Sequence, residues 1–202
     1  MSDLHKILAF WFEGLNDNTP LTHKIPIVKK WFNGDHAFDQ TIKNKFEEML
    51  KNTSARIDEL DCTLPEDKLA LVILFDQFPR NMYRQSPKAY NYDYLALYLA
   101  DEALNLGEDK QMPFYQRTFF YMPFMHAEDL TLQRRSVECF EKIIEEAKMH
   151  CPLNVPYFVN QLNYARQHCA IIEKFSRFPH RNILLGREST EKERLFLENK
   201  TI

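Results

Sequence analysis

Three short strings hold most of the side chains able to do chemistry. Phe75-Asp-Gln-Phe-Pro-Arg-Asn81 and Phe175-Ser-Arg-Phe-Pro-His-Arg-Asn182 repeat one theme, an aromatic residue, a Phe-Pro pair and then Arg-Asn. Between them in the chain lies Pro123-Phe-Met-His-Ala-Glu-Asp129. From Lys174 to Arg187 the chain carries Lys174, Arg177, His180, Arg181 and Arg187 and no acid, an isolated positive segment. The planar fork of arginine suits a carboxylate or phosphate. Arg80, Arg177, Arg181 and Arg187 therefore read as the holding groups of a pocket for a small anion, with Asn81 and Asn182 orienting it. His126 beside Glu128 or Asp129 supplies an acid/base group, because a neighbouring carboxylate fixes the ring and supports imidazolium. His168 lies off the apolar stripe of its helix and joins the same candidate cleft.

The same residues admit a structural reading. A carboxylate near a helix C-terminus is disfavoured by the dipole, so Asp76 calls for a cationic partner, and Arg80, Arg177 or Arg181 can be it. If Asp76, Glu128 and Asp129 consume the arginines, the cluster is a buried salt-bridge network that specifies the fold. Glu128 and Asp129 also serve as first-turn acids of the following helix, with His126 as a cap. No ligand spacing supports a metal at His126, His168 or His180, and no cofactor is expected. Cys169 falls on an apolar stripe, which favours a buried thiol over a nucleophile.

Composition narrows the chemistry. Four glycines in 202 residues fall far below the usual share of roughly 7%, so glycine-rich phosphate loops and many-stranded β folds are excluded. No G-x-G-x-x-G, Walker loop, His-Glu-x-x-His, G-x-S-x-G or EF-hand spacing occurs. With only Gly186 near the candidate site, side chains rather than glycine amides must hold an anion. The balance of 26 basic and 29 acidic residues leaves −3, which gives no drive toward nucleic acid or an anionic membrane. The longest apolar run, Leu69 to Phe75, is far short of the roughly 20 residues of a bilayer span, and the N-terminus lacks signal-peptide regions. A cytoplasmic protein is expected, with Cys62, Cys139, Cys151 and Cys169 reduced.

The elements that must position these strings are helices. Leu4, Ile7, Leu8 and Trp11 recur at helical spacing behind a Ser2 or Asp3 cap, and a loop containing Pro20 and Pro26 follows. A second helix begins near Asp35. Thr63-Leu-Pro-Glu66 reads as a capping box with proline in the first turn, opening a central buried helix that Pro79 ends. Ser86-Pro87 caps a fourth helix closed by Gly107, and a fifth runs from about Pro113 until Pro123 interrupts it. A long helix ends near His150, a two-proline turn spans Cys151 to Pro156, and a helix carrying Phe158, Leu162, Ala165, Cys169 and Ile172 follows. Thr190-Glu-Lys-Glu193 is a second capping box. The sum is about eight helices and no strand, an all-α array of antiparallel pairs within one domain over residues 1–202.

With Ile7-Leu-Ala-Phe-Trp-Phe12, Trp31-Phe32, Phe38-Asp39, Leu71-Val-Ile-Leu-Phe-Asp-Gln-Phe-Pro-Arg-Asn81, Tyr121-Met-Pro-Phe-Met-His-Ala-Glu-Asp129 and the run from Phe175 to Asn182 through Leu185-Gly-Arg187 to Ser189-Thr190, the chain resembles the bacterial domain of unknown function 924 family. The resemblance implies a helical, tetratricopeptide-like fold, and it supplies no activity. The chain departs from the family pattern at Ser176, where the family carries glycine, which bears on the backbone geometry of that corner. Two functions follow from the sequence. One is a pocket for a small anionic ligand with acid/base chemistry, and the other is a tetratricopeptide-like scaffold that binds a protein or peptide.

Overall fold

The computed structural model describes the chain except residues 1, 2, 23, 33, 61 and 200–202 and the side chains of Asp3 and Asp58. The cap expected from Ser2 or the Asp3 side chain lies outside these. All regular secondary structure among the described residues is helical, with no strand. In order they form α1 (Asp3–Trp11), α2 (Pro26–Phe32), α3 (His36–Ala55), α4 (Pro65–Val72), a π-helical turn (Ile73–Gln77), α5 (Phe78–Met82) and α6 (Asp93–Asn105). Then come α7 (Phe114–His126), α8 (Leu130–His150), α9 (Val155–Phe175) and α10 (Glu191–Glu198). Short 3₁₀ turns link several of them, among them Pro87–Tyr90 and Pro179–Arg181.

The apolar run behaves as its pattern requires. Every residue from Lys68 to Pro79 is buried, and α4 packs against α1, α6 and α7. Proline 79 does not end this helix. Its ring lacks an N–H and crowds the carbonyl four residues back, and the chain answers by widening into the π-turn, where the Phe78 N–H donates to Ile73 O instead. The helix then continues to Met82. Asp76 therefore sits in mid-helix, not at a C-terminus, and its carbonyl accepts from Arg80 Nη1 at 2.7 Å.

Pro123 likewise fails to interrupt α7, which runs on to His126. Beyond the proline, the end of α7 is fastened from α8, where the fully buried Gln133 donates to Met125 O at 2.6 Å and to Ala127 O at 2.7 Å. These bonds bracket His126 and satisfy carbonyls that a helix end leaves orphaned.

Three other sequence expectations change. The stretch read as a loop contains α2, whose Trp31 stacks on Trp11 at 5.9 Å and meets Phe119 edge-on at 5.0 Å. Residue Thr63 caps nothing, since Leu64 holds the N-cap position without a side-chain bond. Ser86 caps the 3₁₀ turn ahead of α6 rather than α6 itself. The other caps form as read: Asp35 accepts from Ala37 and Phe38 N–H groups, and Thr190 with Glu193 makes a reciprocal capping box.

The helices α8 and α9, joined by a short turn, pack on each other as a hairpin, and α7 packs against both, chiefly α8. At the end of α9, Ser176 adopts φ 57, the left-handed conformation that glycine takes without a Cβ clash. Ser176→Gly should thus stabilise the protein by about 0.5–1 kcal/mol. Chemical denaturation checks this, and an unchanged or lowered midpoint at constant slope refutes it.

Candidate functional site

Asp76 is fully buried, so its charge survives only if neighbours replace water. Three do so. His126 Nδ1 lies 2.7 Å from Oδ1, Arg80 Nη1 lies 3.1 Å from the same oxygen, and Gln77 Nε2 donates to Oδ2 at 2.6 Å. Although burial opposes ionisation, the nearby Arg80 and His126 outweigh it and hold the carboxyl at about 2. His126 moves the other way. Its own burial and the Arg80 charge push its pKa below the usual imidazole value, against the pull of Asp76. At neutral pH the pair is an ionised carboxylate and a neutral ring whose Nδ1–H donates to Asp76. Nε2 makes no hydrogen bond with any described residue.

That ring lines a cleft of about 590 Å³. The π-turn and α5 contribute Gln77, Arg80 and Asn81, the turn after α5 contributes Arg84, and the end of α7 contributes Met122, Met125 and His126. Facing elements supply Val28, Trp31 and Phe32 from α2 and Tyr157, Asn160, Gln161, Tyr164 and His168 from α9. Every charged side chain on this lining is cationic, and the carboxylates stand behind. Arg80 makes a bidentate pair with Asp93 at 2.8 and 2.9 Å. Arg84 and Asn81 both bind Asp39, with Arg84 Nε at 2.7 Å from Oδ2 and Asn81 Nδ2 at 2.7 Å from Oδ1. The Arg84 side chain is 46% exposed, and its Nη1 makes no hydrogen bond within the described protein. His168 Nδ1 meets Tyr164 O at 2.8 Å, and its ring lies 6.5 Å from that of His126.

The three strings do meet, but only part of them reaches the cleft. Of the residues singled out in the sequence, Arg80, Asn81, His126 and His168 line it, with Asp76 directly behind. Glu128 instead accepts the Phe178 N–H at 2.8 Å and pairs with both terminal nitrogens of Arg187 at 2.6 and 2.9 Å. Asp129 is the N-cap of α8, accepting from Leu132 N–H at 2.9 Å. It does not share a helix face with His126, because α7 ends there and α8 has not begun. Arg177 is held by Glu193 at 2.6 and 2.8 Å. Arg181 lies between the rings of Phe178 and Tyr90, 4.3 and 4.6 Å away, with Asp93 Oδ2 at 4.0 Å. Asn182 donates to Ser189 Oγ at 3.1 Å, and His180 is exposed beside Phe178. Arg166, off the apolar stripe of α9, pairs with Glu141 and is not part of the lining.

The sequence reading passed over Gln77, Arg84, Asn160, Gln161, Trp31 and the methionines. One signal existed: positions 157, 160, 161, 164 and 168 form a second stripe on α9 at helical spacing, beside the apolar stripe that packs on α8. Cys139 and Cys151 are raised to about 11 by burial, and no group of three or more His, Cys, Asp or Glu side chains among the described residues could hold a metal ion. None of the helices described is long and apolar enough to cross a membrane.

Residues 7–201 match the family described as bacterial protein of unknown function, DUF924. The chain belongs to this family. A solved structure of a protein of unknown function from Agrobacterium tumefaciens is similar to it, with 37% identity, 97% of each chain covered and a TM-score of 0.77. No curated protein matches.

Acidification reads out the buried pair. A carboxyl at about 2 in the fold against 3.8 unfolded adds stability above about pH 4 that is lost as pH falls toward 2, on the order of 2 kcal/mol. The lowered pKa of His126 adds a loss of the same sign that begins as pH falls through the unfolded value of 6.5. Asp76→Asn should be less stable at pH 7 and flatter between pH 4 and 2, which denaturation at a series of pH values measures. Equal slopes for parent and variant would refute the charge assignment.

Proposed function

We propose that this family member is a cytoplasmic, single-domain helical protein whose cleft binds a small organic anion with an apolar body, and that His126 acts on that ligand as a general base. The observation that carries the proposal is the pairing of a fully buried carboxylate with an imidazole whose second nitrogen is unbonded and whose ring lines the cleft. Positioning and charge follow from it. Asp76 fixes the tautomer that leaves a lone pair on Nε2, stays ionised, and stabilises the imidazolium formed when Nε2 takes a proton. Trp31, Val28, Met122 and Met125 give the apolar body a place away from water. Arg84 offers Nη1 to the anionic group, with Arg80 adding charge from deeper in the wall. Support for an anion comes from a lining whose charged members are Arg80 and Arg84, with no carboxylate among them. General-base action of this kind is worth about 10²–10⁴-fold in rate.

Benzoate and diethyl pyrocarbonate, which acylates unprotonated imidazole, test the two halves. Benzoate should quench or shift Trp31 fluorescence, and Arg84→Ala should weaken it about tenfold, the loss of one charge-assisted contact. His126 should be acylated at pH 7, protected by saturating benzoate, and spared the reaction in Asp76→Asn, whose ring is no longer held in the productive tautomer. A parent protein that binds no benzoate, or a His126 that reacts equally with the cleft full and empty, would sink the proposal.

A further inference from the structure

We propose that Gln161 selects the ligand of this cleft by pairing with a neutral amide or lactam edge. The inference rests on the reading of the cleft as a small-molecule site and names the chemistry of what enters it. Six carboxamide side chains are buried among the described residues, and five are spoken for. Gln77 binds Asp76, Asn81 binds Asp39, and Gln133 binds two carbonyls. Asn154 accepts the Leu21 N–H at 2.8 Å and donates to two further carbonyls, and Asn182 binds Ser189.

Gln161 alone makes no hydrogen bond with any described residue, although it is only 4% exposed. Its amide atoms are not among the sealed, unpartnered ones, and the cleft that it lines is where they can be reached. Buried polar groups are almost always partnered, because an unmade bond costs more than a made one returns. In the open cleft water meets this need, and a ligand that displaces the water must meet it in turn.

A carboxamide presents an N–H donor beside a C=O acceptor. Its best complement is the same pair reversed, which a primary amide, a ureide or the edge of a lactam ring offers. A carboxylate offers acceptors only and would set one oxygen against the Gln161 carbonyl. Any anionic group on the ligand belongs at Arg84, and the amide edge belongs at Gln161, on the α9 wall with Tyr164.

Benzamide, acetophenone and benzoate share one phenyl body and differ in the donor and acceptor they present, so their dissociation constants by NMR titration decide the matter in parent, Gln161→Leu and Gln161→Met. The parent should bind benzamide about fivefold or more tighter than acetophenone, the worth of one added hydrogen bond. Both variants should equalise these two and leave benzoate unchanged. Without ligand, both variants should melt at or above the parent temperature, since no hydrogen bond within the described protein is lost. A benzamide preference that persists in a folded variant, a parent with no such preference, or a marked fall in variant melting temperature would each overturn the assignment of Gln161. Failure of all three probes to bind the parent would overturn the cleft reading beneath it.

Discussion

A carboxylate with no access to water sits at the middle of this molecule, and much of the surrounding architecture answers to it. Desolvating Asp76 alone would cost several kcal/mol, so the fold brings a guanidinium, an imidazole and an amide to its two oxygens. Two of these come from its own helix. At the π-turn the Phe78 N–H bonds to Ile73 O, and Arg80 reaches back to the Asp76 carbonyl as well as to its side chain. The third partner must arrive from elsewhere, and it is His126, held at the end of α7 by Gln133.

Arginine plays two parts around this centre. Behind the cleft, Asp93 and the Tyr90 ring are shared by Arg80 and Arg181, one from each of the two Phe-Pro strings. Arg177 with Glu193 and Arg187 with Glu128 then fasten the C-terminal segment to α10 and to the α7–α8 junction. These pairs hold polypeptide. Arg84 differs, being half in solvent with part of its fork uncommitted, at the rim where the apolar wall of α2 begins. Helix α9 joins the two regions by having two faces, Phe158, Leu162 and Ala165 buried in the core and the stripe from Tyr157 to His168 turned to the cleft.

Much of the local structure was legible in the sequence. The helical class, the buried run from Leu69, the Asp35 cap and the Thr190 capping box all follow from spacing and from side chains acting on backbone within four residues. Both interior prolines were misread for one reason. A proline removes one N–H and need not end a helix whose packing persists, and both Pro79 and Pro123 lie buried in helices that run on past them. Helix α2 went unread because its seven residues are too few to show a period.

By itself the sequence determined which residues could carry charge chemistry, and it marked the three strings that come together. Only the tertiary structure decided which members of those strings meet the cleft and which meet each other. Periodicity fixes the face of a helix on which a side chain lies, but it is silent on what packs against that face. Asp76 and His126 are 50 residues apart, as are Glu128 and Phe178. Their contacts differ in consequence, because the first pair stands beside a cleft walled by α2, α5 and α9 while the second is taken up by the Phe178 N–H and Arg187.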